Sequence, residues 1–347
     1  MFICLQTAYS GKNSKWLQLP LRPLLVPFIT LFSLLVCYTC MNQISLDSKT
    51  VTSSIFPVGT NQPIENVCST SAIPPEEMCY IHFPQPQTYN RGECACTPVR
   101  YFVILSMQRS GSGWFETLLN SHPNISSNGE IFSVPQRRGN LSIIFNTLDT
   151  VYNLDWFSSA AKNECTAAYG LKWMLNQGVS KYQKEILSYF KANGVSVIFL
   201  FRRNLLRRLI SVLANDYDRQ AKQLNGTHKA HVHSKEEAEI LAKFKPKLRT
   251  SSLIPNLQFM EKTIAESLHN FSSIRHMVLY YEDIINNQKE LKKVQEFLKV
   301  PVRELASRHV KIHTRPLPQQ VENWREVQET LNGTAYAHFL NYNDYHS

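Results

Sequence analysis

The chain reads Tyr101-Phe-Val-Ile-Leu-Ser-Met-Gln-Arg109-Ser-Gly-Ser-Gly-Trp-Phe-Glu-Thr-Leu-Leu119 through its most informative stretch. Its first five residues are aromatic or aliphatic, which predicts a short buried strand. Small residues then follow Arg109, and apolar residues recur at helical spacing up to Leu119. Strand, small-residue loop and helix are the layout of a phosphate cradle, because the loop amides and the helix N-terminus favour an anion.

The loop differs from that of a nucleotide triphosphatase. That loop would end in Gly-Lys-Ser/Thr, with the lysine on the terminal phosphates and the hydroxyl on magnesium. Here Arg109 precedes the glycines, and Gly113 stands where a hydroxyl is expected. The loop therefore suits a phosphate that is not chelated to a metal, and we expect no metal cofactor. Taken alone, the stretch also allows an ordinary turn between a strand and a helix.

A second motif follows another predicted strand, Val195–Phe201. The strand leads into Arg203, and a helix then carries Ser211, eight residues further on. If Arg203 lies at the strand end and Ser211 two turns into the helix, both can face the crevice beside the first loop. A cation and a hydroxyl at that place would hold a second phosphate.

Together the two motifs resemble the sulfotransferase family, most closely its plant membrane-bound, nodulation-protein-H-like branch, which is related to bacterial carbohydrate sulfotransferases. The resemblance covers roughly residues 101–340. It implies that the donor is phosphoadenosine phosphosulfate (PAPS) and that Arg203 and Ser211 hold its 3′-phosphate. It also implies that the following residues bind the 5′-phosphosulfate end: Arg109, Ser110, Gly111, Ser112, Gly113 and Trp114. Gly113 departs from the hydroxyl residue that many members carry.

Sulfuryl transfer needs an in-line donor and acceptor, neutralised leaving oxygens and a base for the acceptor proton. Arg109 is the candidate for the bridging oxygen. The resemblance implies that Glu130 is the general base, and a surface or helix-capping glutamate is the alternative. Lys172, inside a predicted strand, resembles a lysine of the same branch that reaches donor or acceptor. A lysine that snorkels from a strand end is the alternative.

Predicted strands alternate with predicted helices along residues 99–347. The strands are Ala168–Met174, Val195–Phe201 and His276–Tyr281, in addition to the one that begins at Tyr101. This alternation predicts a P-loop-type α/β domain with a mostly parallel sheet that is flanked by helices on both faces.

The N-terminal part predicts a membrane anchor and a stem. Residues 24–41 carry no charge, and a helix of that length spans ~27 Å. Because Lys12, Lys15 and Arg22 precede this run and no acidic residue does, residues 1–23 are expected in the cytosol. Residues 42–98, poor in apolar periodicity, are the expected lumenal stem. The chain would then be a single-pass type II protein of the Golgi membrane.

Cysteines and glycosylation sequons agree with a lumenal domain. Disulfides are expected in an oxidising lumen, but the sequence leaves the pairing open. The candidate cysteines are Cys68, Cys79, Cys94, Cys96 and Cys165, and sequons begin at Asn124, Asn140, Asn225, Asn270 and Asn332.

The sequence also bears on binding partners and on alternative functions. The net charge of +10 suits an anionic cofactor, acceptor or membrane surface, and no nucleic-acid-binding motif accompanies it. The expected acceptor is a carbohydrate or glycoconjugate. A P-loop kinase or nucleotide hydrolase is one alternative, with Glu282-Asp283 as its candidate magnesium ligands, and a catalytically silent binding protein is another. His228, His231 and His233 indicate either a metal site or a solvated insertion. His313 or Arg315 closes over the site, or both lie in a plain loop.

Overall fold

The computed structural model describes Cys68 and residues 73–157, 160–285 and 287–340. The predicted cytosolic tail (1–23), the predicted anchor (24–41) and much of the predicted stem (42–98) lie outside these residues. Within the described part of the chain, no helix combines the length and the apolar character that crossing a membrane requires.

The centre of the domain is a parallel five-stranded sheet in the order β2-β3-β1-β4-β5. Its strands are β1 (Arg100–Ser106), β2 (Ile125–Ser127), β3 (Ala168–Met174), β4 (Ser196–Phe201) and β5 (His276–Tyr280). The chain leaves β1 toward one edge and later returns to its other side, so β1 lies at the point where the strand order reverses. Ligands of open α/β sheets bind at the carboxyl ends of strands at such a point. The predicted parallel α/β sheet is confirmed.

Helices connect the strands, and their bounds are as follows. They are α1 (Ser112–Ser121), α2 (Leu141–Tyr152), α3 (Ala160–Asn163), α4 (Gln183–Ala192), α5 (Leu205–Ala221), α6 (Lys235–Leu241), α7 (Leu253–Asn270), α8 (Tyr281–Ile284), α9 (Gln288–Phe297), α10 (Leu317–Gln320) and α11 (Trp324–Leu331). Short 3-10 turns lie at Pro75–Tyr80, Gly92–Cys94, Ile131–Ser133, Pro135–Arg138, Thr250–Ser252 and Ala337–Leu340, and a π turn lies at Leu175–Val179.

Both faces of the sheet are buried. Along β1, Val103 and Leu105 join one apolar cluster, while Phe102 and Ile104 join the cluster on the opposite face. This alternation is what a strand imposes, because successive side chains point to opposite faces. Helices α2 and α4 cover the first face, and α1 and α9 cover the second. The carboxyl edge of the sheet is therefore held between two packed layers.

Part of the segment that was expected to form a stem packs on the sheet. His82 pairs with Val99 through two backbone hydrogen bonds of 2.9 Å. The buried guanidinium of Arg91 donates to the carbonyls of Thr97, Glu164 and Thr166. Two disulfides fasten this region: Cys94–Cys165 ties it to the residues before β3, and Cys68–Cys96 closes a local loop. Cys79 is a free thiol.

Candidate functional site

The turn between β1 and α1 has a backbone that few side chains permit. Gly111, directly before α1, has φ = 84°, and a Cβ there would overlap the ring of Tyr281. A glycine is therefore required both by conformation and by space. Arg109 also has a positive φ of 66°. For a residue with a long side chain this conformation costs about 1–3 kcal/mol, a strain typical of ligand-binding turns.

This turn and the second motif meet in one cleft. Nε of Arg109 lies 2.9 Å from Oγ of Ser211 on α5, and its Nη1 donates to the carbonyl of Ala230 at 2.8 Å. The cleft has a volume of about 550 Å³ and is lined at this end by Arg109, Gly111, Ser112, Gly113, Trp114 and Ser211. Ser110 is fully buried beneath them. The structure therefore brings the predicted first loop and Ser211 together.

The cleft is cationic. Arg202, Arg219 and Lys311 line it together with Arg109, and the carboxylates of Glu130 and Asp216 also face it. Burial, followed by the nearby charge of Arg202, lowers the pKa of Arg109 to about 10, so its guanidinium stays charged at neutral pH. Four cations and two carboxylates face the cavity, and this excess of positive charge favours an anion.

Arg203 lies outside the lining of this cleft. Its guanidinium pairs with Asp283 at 2.6 Å and stacks over the ring of Tyr280, with 42% of the side chain exposed. The preceding residue, Arg202, is buried and lines the cleft instead. Successive side chains along a strand point to opposite sides, and directly after β4 it is Arg202 that points to the cleft. The sequence showed the pair of arginines but not which of them would line the cleft. The phosphate-binding role of Arg203 stays a prediction.

The two carboxylates that would serve magnesium in a kinase have other partners here. Glu282 accepts a hydrogen bond from the backbone N–H of Arg203 at 2.9 Å and lies 3.5 Å from Nε of Arg202. Asp283 binds the Arg203 side chain. Both carboxylates thus hold the turn after β4, and nothing favours the kinase alternative.

At the other end of the site, a buried lysine lies between two carboxylates. Nζ of Lys172 on β3 is 2.9 Å from Oε2 of Glu116 and 3.5 Å from Oε1 of Glu130. Only 7% of the Lys172 side chain is exposed, so it does not snorkel to solvent. Glu130 lines the cleft and also accepts a hydrogen bond from Gln177 at 3.0 Å. Two of the predicted catalytic side chains, Glu130 and Lys172, therefore contact each other beside the cradle.

Glu116 was missed in the sequence. Its Oε1 accepts hydrogen bonds from the backbone N–H of Gly129 and the hydroxyl of Ser127, both at 2.7 Å. It lies on α1 beside the buried Phe115 and Leu119. A carboxylate on the apolar side of a helix is uncommon unless it is paired, and this was the available signal.

Several histidines line the cleft. His228, His231 and His313 are among them, and His228 also lies 2.6 Å from the buried carboxylate of Asp218. Burial, then the cations Lys172 and Arg109, lowers the pKa of His231 to about 3. Burial, then Arg109 and Arg202, lowers that of His313 to about 3. Both rings are neutral at pH 7. Among the described residues, no three His, Cys, Asp or Glu side chains are grouped so that they could hold a metal ion.

The chain is similar to nodulation protein H. Two sequences from Rhizobium meliloti are 25% and 24% identical over 252 and 251 residues, which cover 70% of this chain and 96% of each relative. No protein-family model matches the sequence. Among solved structures, a sulfotransferase from Alicyclobacillus acidocaldarius has a TM-score of 0.36 at 12% identity, covering 61% of this chain and 86% of that one. A mouse sulfotransferase complexed with PAP has a TM-score of 0.31 at 13% identity, covering 58% and 60%.

The similarity to nodulation protein H extends over nearly the whole of that protein. The predicted enzyme class, a sulfotransferase, is confirmed. The plant and membrane-bound parts of the resemblance, and the roles of the individual site residues, stay predictions.

Proposed function

We propose that this sulfotransferase takes its sulfuryl group from PAPS and transfers it to a hydroxyl of a carbohydrate or glycoconjugate. The observation that carries the proposal is the hydrogen bond between Arg109 and Ser211. It joins the phosphate turn after β1 with the motif after β4, so two anion-binding elements share one cleft. A donor with phosphates at both its 3′ and 5′ positions matches such an arrangement.

The cleft residues fit this donor. Ser110 is completely buried, and its hydroxyl makes no hydrogen bond within the described part of the chain. A buried hydroxyl without a partner costs about 1–3 kcal/mol, which a bound phosphate would offset. The backbone amides of the turn and the N-terminus of α1 favour a bound anion. Arg109 and the amides of residues 110–113 would hold the 5′-phosphosulfate and Ser211 the 3′-phosphate. Arg203 would join Ser211 only if its pair with Asp283 opened.

The reacting groups are assigned as follows. As the acceptor oxygen bonds to sulfur, the Glu130 carboxylate accepts the acceptor proton. The bond between sulfur and the bridging oxygen breaks, and its electron pair stays on the donor phosphate. Arg109 neutralises the charge that develops there, and Lys172 adds positive potential from 3.5 Å beyond Glu130. No metal is needed in this scheme, since the leaving group is a stable phosphate.

We extend the proposal to the cellular setting. The domain would face the Golgi lumen behind an uncleaved helix at residues 24–41, as in the membrane-bound plant branch. Two observations support this: residues 24–41 carry no charge, and the described domain contains two disulfides, which persist in oxidising compartments.

Transfer of radiolabelled sulfate from PAPS to a panel of glycans and peptides tests the proposal. We expect label on glycans with the full-length chain and a loss of about 10²–10⁴-fold in kcat with Glu130→Gln, while affinity for PAP is kept. Glu329→Gln, an exposed glutamate far along the chain on α11, is the matched control. Wild-type turnover in Glu130→Gln would refute the base assignment. Tight binding of ATP with magnesium and no preference for PAPS would refute the donor.

A further inference from the structure

The insertion between α5 and α6 places Ala230 and His231 in the lining of the cleft, directly before Val232. The carbonyl of Ala230 accepts a hydrogen bond from Arg109 at 2.8 Å, and that of Val232 accepts one from the N–H of Val310 at 2.9 Å. Between them, the ring of His231 stacks on His309 with centroids 4.7 Å apart and planes inclined by 14°. The backbone of His231 is thus fixed on both sides, and one ring face is covered.

Gly113 provides the space that this ring fills. It lies in the first turn of α1, where a Cβ would overlap Cε1 and Nε2 of His231. A glycine inside a helix costs roughly 0.5–1 kcal/mol relative to alanine. Unlike Gly111, this residue has no positive φ that would require glycine. Contact with the imidazole therefore accounts for the glycine, and residues 113 and 231 form a matched pair.

The imidazole lies where the reacting end of the donor is expected. It faces the first turn of α1, whose free amides favour an anion, and the charges of Arg109 and Lys172 both act on it. Together with burial, these charges keep the ring neutral at pH 7. A neutral imidazole carries one N–H that can donate to an anionic oxygen, and it adds no repulsion to the neighbouring cations.

We infer that His231, whose ring fills the space beside Gly113, is a further catalytic residue. Its imidazole donates a hydrogen bond to the phosphosulfate end of PAPS. The inference rests on the proposed function and adds to it a residue from the His-rich insertion. In this chain an imidazole from a distant segment would supply the polar contact over the first turn of α1.

Substitution of His231 in the full-length chain tests the contact. His231→Ala should lower kcat/KM for PAPS about 10–100-fold, as expected for a lost hydrogen bond to a charged group. His231→Gln keeps a side-chain N–H and should recover part of the lost activity. Its thermal midpoint should equal that of His231→Ala. Recovery of activity without a change in stability would not result from a purely structural role. His233→Ala, from the same insertion but outside the cleft lining, should stay within about twofold of wild type.

A double-mutant cycle tests the pairing with Gly113. Gly113→Ala should displace the ring and lose about as much activity as His231→Ala. The double variant Gly113→Ala/His231→Ala should be no worse than His231→Ala alone, because the methyl group then has nothing to displace. Independent, multiplying losses would overturn the pairing.

The measurements distinguish a failure of the proposed function from a failure of the role inferred for His231. A wild-type chain that neither binds PAP nor transfers sulfate refutes the proposed function. A wild-type chain that does both, beside a His231→Ala variant within twofold of it, refutes only the role of His231.

Discussion

Arg109 and Ser211 are 102 residues apart in the sequence, yet Nε of Arg109 lies 2.9 Å from Oγ of Ser211. The parallel sheet produces this contact. Because β1 and β4 are neighbours with the same direction, the turns after both strands emerge at one edge. The hydrogen bond therefore links the two halves of the cleft, and it orients a charged side chain whose backbone is already held at a positive φ.

Arg109→Lys should weaken PAP binding about 10–100-fold although the charge is kept. An ammonium cannot donate to Ser211 and Ala230 from a planar fork while also facing a phosphate. Isothermal titration of PAP measures the effect. Arg325→Lys on α11, where the side chain is 91% exposed, is the control and should bind like wild type. If Arg109→Lys and Arg325→Lys bind PAP with equal affinity, Arg109 does not contact the donor.

Glu116→Gln should destabilise the fold by about 2–3 kcal/mol. The amide cannot neutralise Lys172, whose buried Nζ would keep only Glu130 at 3.5 Å. Removal of one partner from a fully buried ion pair costs about 3–5 kcal/mol, and the remaining carboxylate reduces that figure. Chemical denaturation at pH 7.5 measures it, with the exposed Glu329→Gln expected to change stability by less than about 0.5 kcal/mol. An unchanged midpoint for Glu116→Gln would show that Lys172 does not depend on this carboxylate.

The sheet was predictable, and parts of its surroundings were not. The predicted strand Ala168–Met174 is β3 residue for residue, because a mostly apolar run, here interrupted by Lys172, suits a strand that is buried on both faces. Strand β2, Ile125–Ser127, has three residues and is too short to show a period. Helix α7 has Pro255 near its start, which in sequence suggests a break. In the first turn a proline is tolerated, since its missing N–H would have no helical partner.

Some residues of the candidate site could likewise be predicted from the sequence, and others could not. Arg109 and Ser211 were predicted because each follows a strand or lies on the helix beside a recognisable loop, and Glu130 was predicted from the family resemblance. Glu116 and His231 were not assigned, since their partners are fixed by tertiary contacts: Glu116 binds Lys172, 56 positions later in the chain, and His231 reaches α1 only through a folded insertion. Local patterns can mark Glu116 as an unusual buried carboxylate, but they do not identify the partner of either residue.

Asp283→Ala should tighten PAP binding about two- to fivefold. Arg203 pairs with Asp283 in the structure, so a role in phosphate binding requires that this exposed pair be broken. Such pairs contribute about 0.2–1 kcal/mol, and their removal lowers the cost of moving Arg203. Titration of PAP into Asp283→Ala and Arg203→Ala checks this, with opposite shifts expected. Weaker binding in both would mean that Asp283 holds Arg203 in its functional position.

Loss of the Cys94–Cys165 disulfide should lower stability by about 2–5 kcal/mol. The bond ties the segment before β1 to the residues before β3 across 71 positions and thus restricts the unfolded chain. The double variant Cys94→Ser/Cys165→Ser should have a lower thermal midpoint than wild type. Added reductant should then lower the midpoint of the double variant less than it lowers that of wild type. Cys79→Ser, at an exposed free thiol, should match wild type in both conditions. A midpoint insensitive to the double substitution would show that packing alone holds the segment.

His82 should make the fold less stable as the pH falls from about 6.5 to 4. Burial lowers the pKa of its imidazole to about 4, while an unfolded histidine has a pKa near 6.5. Over that interval the unfolded chain binds more protons than the folded one, so acidification favours unfolding, by at most about 3 kcal/mol for this group. The ring stacks on Tyr101 at 3.9 Å, and His82→Phe can keep that contact without titrating. Denaturation at pH 5.0 and 7.5 should therefore show a smaller pH difference in His82→Phe than in wild type, and an equal difference in the two would mean that His82 is not the responsible group.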